Sequence, residues 1–257
     1  MRTLADIAPE GILLAGAGRA ILLQIAYPEI GYGVARHSDF AARPMDRLNA
    51  TLSYVYALSN GTEHDLALVR RAVNRAHVPV RTARDGDPEY DARDPQLQLW
   101  VAATLYDTAI VLYERIFGTL DDDAAEHVHR EYARLGTELQ MPEALWPATR
   151  ADFRVYWDEM LPRLRVDRTV RRVSDALLQA ENAPTAIRVA MPLARFVTAG
   201  LLPEPLRAPF GFSWNARRQR RFDRLIGAVA PVYRVVPAGI RRWPARHYLA
   251  RIPRVYG

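Results

Sequence analysis

His77 stands in the segment Ala-His-Val-Pro-Val-Arg, two residues before Pro79, which cannot continue a helix. Thr62 followed by Asp65 has the form of a capping box, so the spacing predicts a helix over 62–77. On that helix Leu66, Val69, Val73, Ala76 and His77 share one stripe, while Arg70, Arg71, Asn74 and Arg75 lie largely away from it. The imidazole is therefore expected to point from the last turn into the core. One helix earlier, Arg47 and Thr51 are four apart and share a face, with Tyr54 a turn further on and Leu48, Leu52 and Val55 beside them. An arginine beside an apolar stripe wants an anion. Spacing alone leaves two readings open: a ligand-binding His-Arg-Thr set, or a core histidine satisfied by a carbonyl beside an ordinary ion pair.

The elements that must carry these residues are helical almost throughout. No stretch alternates with period two for long enough to build a sheet. The expected fold class is all-α, a single-domain multi-helix bundle over residues 1–257, since no linker, repeat or low-complexity segment divides the chain. Residues 10–27 are apolar nearly all round except Arg19 and Gln24, which predicts a buried helix stopped by Pro28. Asp94 reads as the N-cap and Pro95 as the first residue of a second buried helix running to about Phe117. Further helices are expected near 44–59, 121–139, 149–165, 169–180, 184–200, 214–229 and 238–251.

Composition removes much chemistry. The 257 residues are 49% apolar and contain no cysteine, so disulfides, thiolate nucleophiles and cysteine-ligated metals are excluded. All 35 basic residues are arginine, which excludes a phosphate-loop lysine, a Schiff base and a Ser-Lys dyad. The Gly16–Gly18 pair lacks a preceding strand and has Ile21 at the third glycine position of a dinucleotide fingerprint. Asp85, Asp87, Glu89 and Asp91 alternate like a calcium loop but have neither its glycine nor its closing glutamate, and read as a polar turn. His127 and His129 are two apart, so they fall on different helix faces. The apolar stretches are too short to span a membrane, and Asp6 and Glu10 break up the N-terminal segment, so a cytoplasmic protein is expected.

Charge is unevenly placed. Residues 201–257 hold twelve arginines against Glu204 and Asp223, a net +10, whereas residues 1–200 hold 23 arginines against 27 acids, a net −4. Around Trp214–Val229, Phe222, Leu225, Ile226 and Val229 fall on one side of a helix and Arg217, Arg218, Arg220, Arg221 and Arg224 mostly on the other. A solvated basic face is the plain reading, and peripheral contact with an anionic membrane is the alternative. Nucleic acid is not expected as a partner, because no motif for it is present.

The succession LLAGAGRAILLQIAYPEIGYGVARHSDF, RLNATLSYVY, VNRAHVPVRT and YDARDPQLQLWVAATLYDTAIVLYERIFG resembles the DUF2236 family, which includes the MpaB oxygenases and latex clearing protein, the rubber oxygenase. The likeness covers about residues 11–165, in order and at similar intervals. It implies a helical, globin-like core holding haem b, with His77 as the proximal iron ligand. The family's arginine and threonine spaced by four fall on Arg47 and Thr51. Arg47 would then neutralise a propionate or stabilise negative charge on an oxygen ligand, and Thr51 would donate to that oxygen. Arg19, in the first buried helix, is a further candidate for a propionate. Where latex clearing proteins have a lysine just before the threonine, this chain has Ala50. Where family members often carry histidine, it has Tyr27 and Ala102.

The activity implied is a haem-dependent oxygenase using dioxygen on a small apolar, isoprenoid-like carbon–carbon double bond. An oxidase or peroxygenase of secondary metabolism, and a non-enzymatic haem-binding or membrane-surface protein, are the alternatives. An apolar substrate would need a cavity, for which the alanine- and glycine-rich first helix is expected to leave room.

Overall fold

Pro28 turns the first apolar stretch rather than ending it. In a computed structural model, which describes residues 1–37, 44–82, 89–180 and 182–257, the chain runs through a 3-10 segment, Gly11–Gly16, into helix α1, Ala17–Ile25. It then starts a new helix, α2, Pro28–His37, bent by 103° from the first. Proline is well suited to a helix start, where its missing N–H would have no intrahelical partner. The helix expected over 10–27 is thus a 3-10 turn plus a shorter helix, and α2 had not been expected.

Helix α3, Pro44–Asn60, and helix α4, Glu63–His77, pack side by side after a tight turn. The capping box forms as expected: Thr62 Oγ1 accepts from the Asp65 N–H at 3.1 Å, and the Asp65 carboxylate accepts from the Thr62 N–H at 3.0 Å. Helix α5, Pro95–Phe117, is capped by Asp94, whose side chain accepts from the Gln96 and Leu97 N–H groups. It is the buried axis of the molecule, with Trp100, Ala103, Leu112 and Ile116 hidden along its length. Around it lie α6, Asp122–Tyr132; α7, Arg150–Met160; α8, Arg168–Gln179; α9, Thr185–Leu201; and α10, Ala216–Val235. The last helix, α11, Trp243–Tyr256, crosses both α3 and α4. Among the described residues there is no strand, only an isolated bridge between Arg81 and Asp91, so the all-α expectation holds. Asp85 and Asp87 lie outside the described residues.

The small residues of the first stretch bring backbones close together. A Cβ on Gly16 would lie 2.6 Å from Thr108 Cγ2, and one on Gly18 would lie 2.2 Å from Thr198 Oγ1. That is contact with α5 and α9, not vacant space, which corrects the expectation that these residues leave room for a cavity. On the other side of α5, Tyr106 packs edge-on against His129, Tyr132, Trp146 and Phe153, at centroid distances of 5.1, 5.2, 5.9 and 4.8 Å. A second, smaller apolar cluster joins Leu112 and Ile116 of α5 to Val197 and Leu201 of α9 and Phe222 of α10.

Candidate functional site

A cavity of about 530 Å³ opens between α2, α3, α4 and α5. That lies within the roughly 300–1,000 Å³ of cofactor and small-molecule sites. Helix α3 turns Arg47, Ala50, Thr51 and Tyr54 toward it, positions that recur at three and four residues and so form one face. Helix α4 contributes Val73, Ala76 and His77, and α5 contributes Val101, Ala102 and Leu105. Its width comes from small side chains facing one another: Gly33, Ala50, Ala72, Ala76, Ala92 and Ala102 all line it. Of the residues singled out in the sequence, His77, Arg47 and Thr51 are brought together on one cavity.

The α4 stripe does not run into packed core along its whole length. Leu66 and Val69 are buried, but Ala76 is exposed and His77 half-buried, both facing the cavity. The expectation that the imidazole points into the core is corrected accordingly: α4 passes from core to cavity wall over its last two turns. Burial holds His77 far below the usual histidine range, at about 4, and the nearby Arg47 charge adds to that, with Asp91 opposing. The ring is therefore neutral at physiological pH. Its Nδ1 is buried with no hydrogen-bond partner among the described residues. A buried nitrogen left unmatched costs stability unless a ligand or water meets it.

Arg47 is half-buried and lines the cavity. Burial lowers its pKa to about 10, which leaves the guanidinium charged. Tyr54, on the same face, donates from its hydroxyl to the Leu135 carbonyl at 3.0 Å and stiffens the wall. Beyond α4, the Val80 N–H donates to the His77 carbonyl at 3.0 Å, and the Arg81–Asp91 bridge ties down the chain that leaves the site. Asp91 is held by the Arg93 N–H at 2.8 Å and by the Arg93 guanidinium.

Arg19 is not at this cavity. It is buried between α1 and α5, where it donates to the Asp107 carboxylate, to Thr108 Oγ1 at 2.6 Å and to the Leu201 carbonyl at 2.8 Å, with Trp157 against its face at 5.7 Å. Its donors serve the helix packing around it. Tyr27 is likewise off the cavity, its ring tilted against Trp100 at a centroid distance of 6.3 Å, while Ala102 lies on the wall. Sequence reasoning missed Tyr256, which α11 brings to the cavity from the far end of the chain, and Glu29 and Gln98, which add polar groups. No local pattern marks Tyr256, because its role depends on how α11 crosses α3 and α4.

The fold and cavity together define an all-α protein built around one cofactor-sized, largely apolar chamber with a neutral histidine and a charged arginine in its wall. The chain belongs to the family described as ER-bound oxygenase mpaB/B'/Rubber oxygenase, catalytic domain, whose model matches residues 5–231. It is an oxygenase-family protein, and that membership supports an oxidoreductase activity. Two uncharacterized proteins, one from Mycobacterium bovis and one from Mycobacterium tuberculosis, are each 36% identical to it over 222 residues, which is 84% of this chain and 87% of each relative. No solved structure matches the chain at a significant level. Among the described residues, no group of three or more histidine, aspartate and glutamate side chains is gathered as a metal site.

Proposed function

We propose that the protein is a haem b-dependent oxygenase acting on a small apolar, isoprenoid-like substrate with a carbon–carbon double bond. The observation that carries this reading is His77: a neutral imidazole with an unmatched buried nitrogen, lining a chamber of about 530 Å³ that Arg47 and Thr51 share. A haem site needs one such imidazole and not a multi-ligand cluster, so the donor set present fits the group. Haem, when bound, supplies the iron chemistry that activates oxygen.

The chain's own residues have separable tasks. His77 is kept deprotonated by burial and by the Arg47 charge, so a lone pair is available as a ligand without first losing a proton. Arg47 offers a fixed positive charge to an anionic edge of the cofactor. Thr51, one turn along the same face, offers a hydroxyl that can donate to an oxygen atom of the substrate pair. Val73, Val101 and Leu105 line the wall, exclude water and select a hydrocarbon. Ala50 and Ala102 leave the volume that larger residues there would take.

The test begins with the visible spectrum of the purified protein. A Soret band is expected, lost in His77→Ala and retained in His64→Ala, since His64 is exposed on the opposite end of α4. Carbonyl products from an isoprenoid alkene under oxygen, without peroxide, are expected next. Unchanged haem content in the His77 variant would overturn the site, and products formed only with peroxide would replace the oxygenase with a peroxygenase.

A further inference from the structure

The C-terminal part carries charge that the rest of the molecule does not neutralise. Of its twelve arginines, Arg241 and Arg242 pair with the buried Glu10 at 3.4 and 3.0 Å. No other of the twelve is within ion-pair distance of a carboxylate among the described residues. The same region exposes Val232, Val235, Ile240 and Trp243 at 64, 80, 65 and 58% of their surface. These four follow one another over the end of α10, the short turn Ala238–Arg241 and the start of α11. Helix α11 itself is two-sided. Ala245, Leu249, Ile252 and Tyr256 form the inward stripe, and Trp243, Arg246, Ala250 and Arg254 form the outward one.

We propose that this region, the outward stripe of α11 together with the exposed Val232, Val235 and Ile240 of the segment that leads into it, docks on an anionic lipid bilayer. Exposed aliphatic side chains, a tryptophan and unneutralised arginines on one continuous segment are the combination an interfacial element uses: the apolar groups enter the acyl boundary and the guanidinium groups meet the headgroups. A nucleic acid would satisfy the arginines but leave Val235 and Ile240 in water. A second copy on this face would set like charges against each other. Helix α11 also lines an outer pocket of about 240 Å³ with Tyr248, Arg251 and Val255, and that pocket shares Asp46 and Tyr256 with the large cavity. Docking therefore engages the helix whose inward face carries Tyr256 to the chamber wall. Its consequence for the supply of an apolar substrate rests on the function proposed above, whereas the docking rests on the surface alone.

The experiment is co-sedimentation of the full-length chain with vesicles of phosphatidylcholine alone and of phosphatidylcholine containing about one-third phosphatidylserine. It is read by protein recovered with the lipid, and so is independent of haem content. Association with the anionic vesicles only, weakening steeply from low to physiological salt, is expected. The pair Arg246→Gln with Arg254→Gln, and separately Ile240→Ser with Trp243→Ser, should each weaken it by roughly ten- to thirtyfold. These side chains are exposed, so circular dichroism should show both variants folded. Equal binding to neutral vesicles, none at low salt, or loss in the arginine pair alone would overturn the proposal. So would equally tight binding to a duplex oligonucleotide, or a dimer in gel filtration that the variants convert to monomer.

Discussion

Arg47 and His77 come from neighbouring helices and face the same chamber, and the guanidinium charge of one helps to keep the imidazole of the other neutral. Thirty residues separate them in sequence. The turn around Gly61 folds α4 back beside α3, so that the first turn of one helix lies against the last turn of the other. Cation and neutral imidazole are thus held within electrostatic reach by helix pairing alone.

The two polar residues of α3 should separate under mutation. On the proposed haem reading, Arg47→Ala is expected to lose haem on extended dialysis, because it removes the anchor for an anionic edge of the cofactor. Thr51→Ala is expected to keep the Soret band while turnover falls by roughly 10²-fold, the usual effect of removing one preorganised donor. Spectra and single-turnover rates on both variants check this, and the reverse pattern would exchange the two roles.

Ala50 lies on the chamber wall beside Thr51, and the chain has no lysine that could reach in from elsewhere. On the proposed haem reading, free imidazole or cyanide should therefore bind the ferric form readily. Ala50→Lys places an amine on the wall and should slow or block that binding, with a change in the ferric spectrum. Titration of wild type and variant with imidazole decides it.

Arg19 and Asp107 form a buried ion pair away from the chamber. Asp107→Ala should destabilise the protein by about 3–5 kcal/mol, because an uncompensated guanidinium remains buried. The haem spectrum at neutral pH should be unchanged in the folded fraction. Denaturant unfolding followed by fluorescence gives the first quantity, and a lost Soret band in folded protein would return Arg19 to the cofactor.

His129 is fully buried beside Tyr106, its Nε2 donating to the Pro147 carbonyl at 2.8 Å, and burial holds its pKa below 6.5. As pH falls through 6.5 the unfolded chain takes up this proton before the folded one does. Stability is thus lost on the acid side, down to the lowered folded value. His129→Phe should flatten that acid limb of Tm against pH. It should also cost about 1–3 kcal/mol near neutrality, where the Pro147 carbonyl loses its donor. An unchanged slope would show that His129 is not the titrating group.

Local signals in the sequence determine local structure, and here they were legible. The Thr62/Asp65 capping box, the Asp94 cap with Pro95 behind it, and the apolar run of α5 each specify their element because the cap hydrogen bonds and the burial pattern lie within one or two turns. The shared face of Arg47 and Thr51 follows from helix pitch in the same way. Which faces meet is decided by packing between elements distant in the chain. Gly16 and Gly18 look alike to Gly33 in sequence, yet the first two are filled by Thr108 and Thr198 and only the third borders the chamber. Arg19 looked as available for an anion as Arg47 until α5 set Asp107 and Thr108 against it. Tyr256 reaches the chamber only because α11 crosses α3 and α4, a contact that spans about two hundred residues and has no trace in any local period.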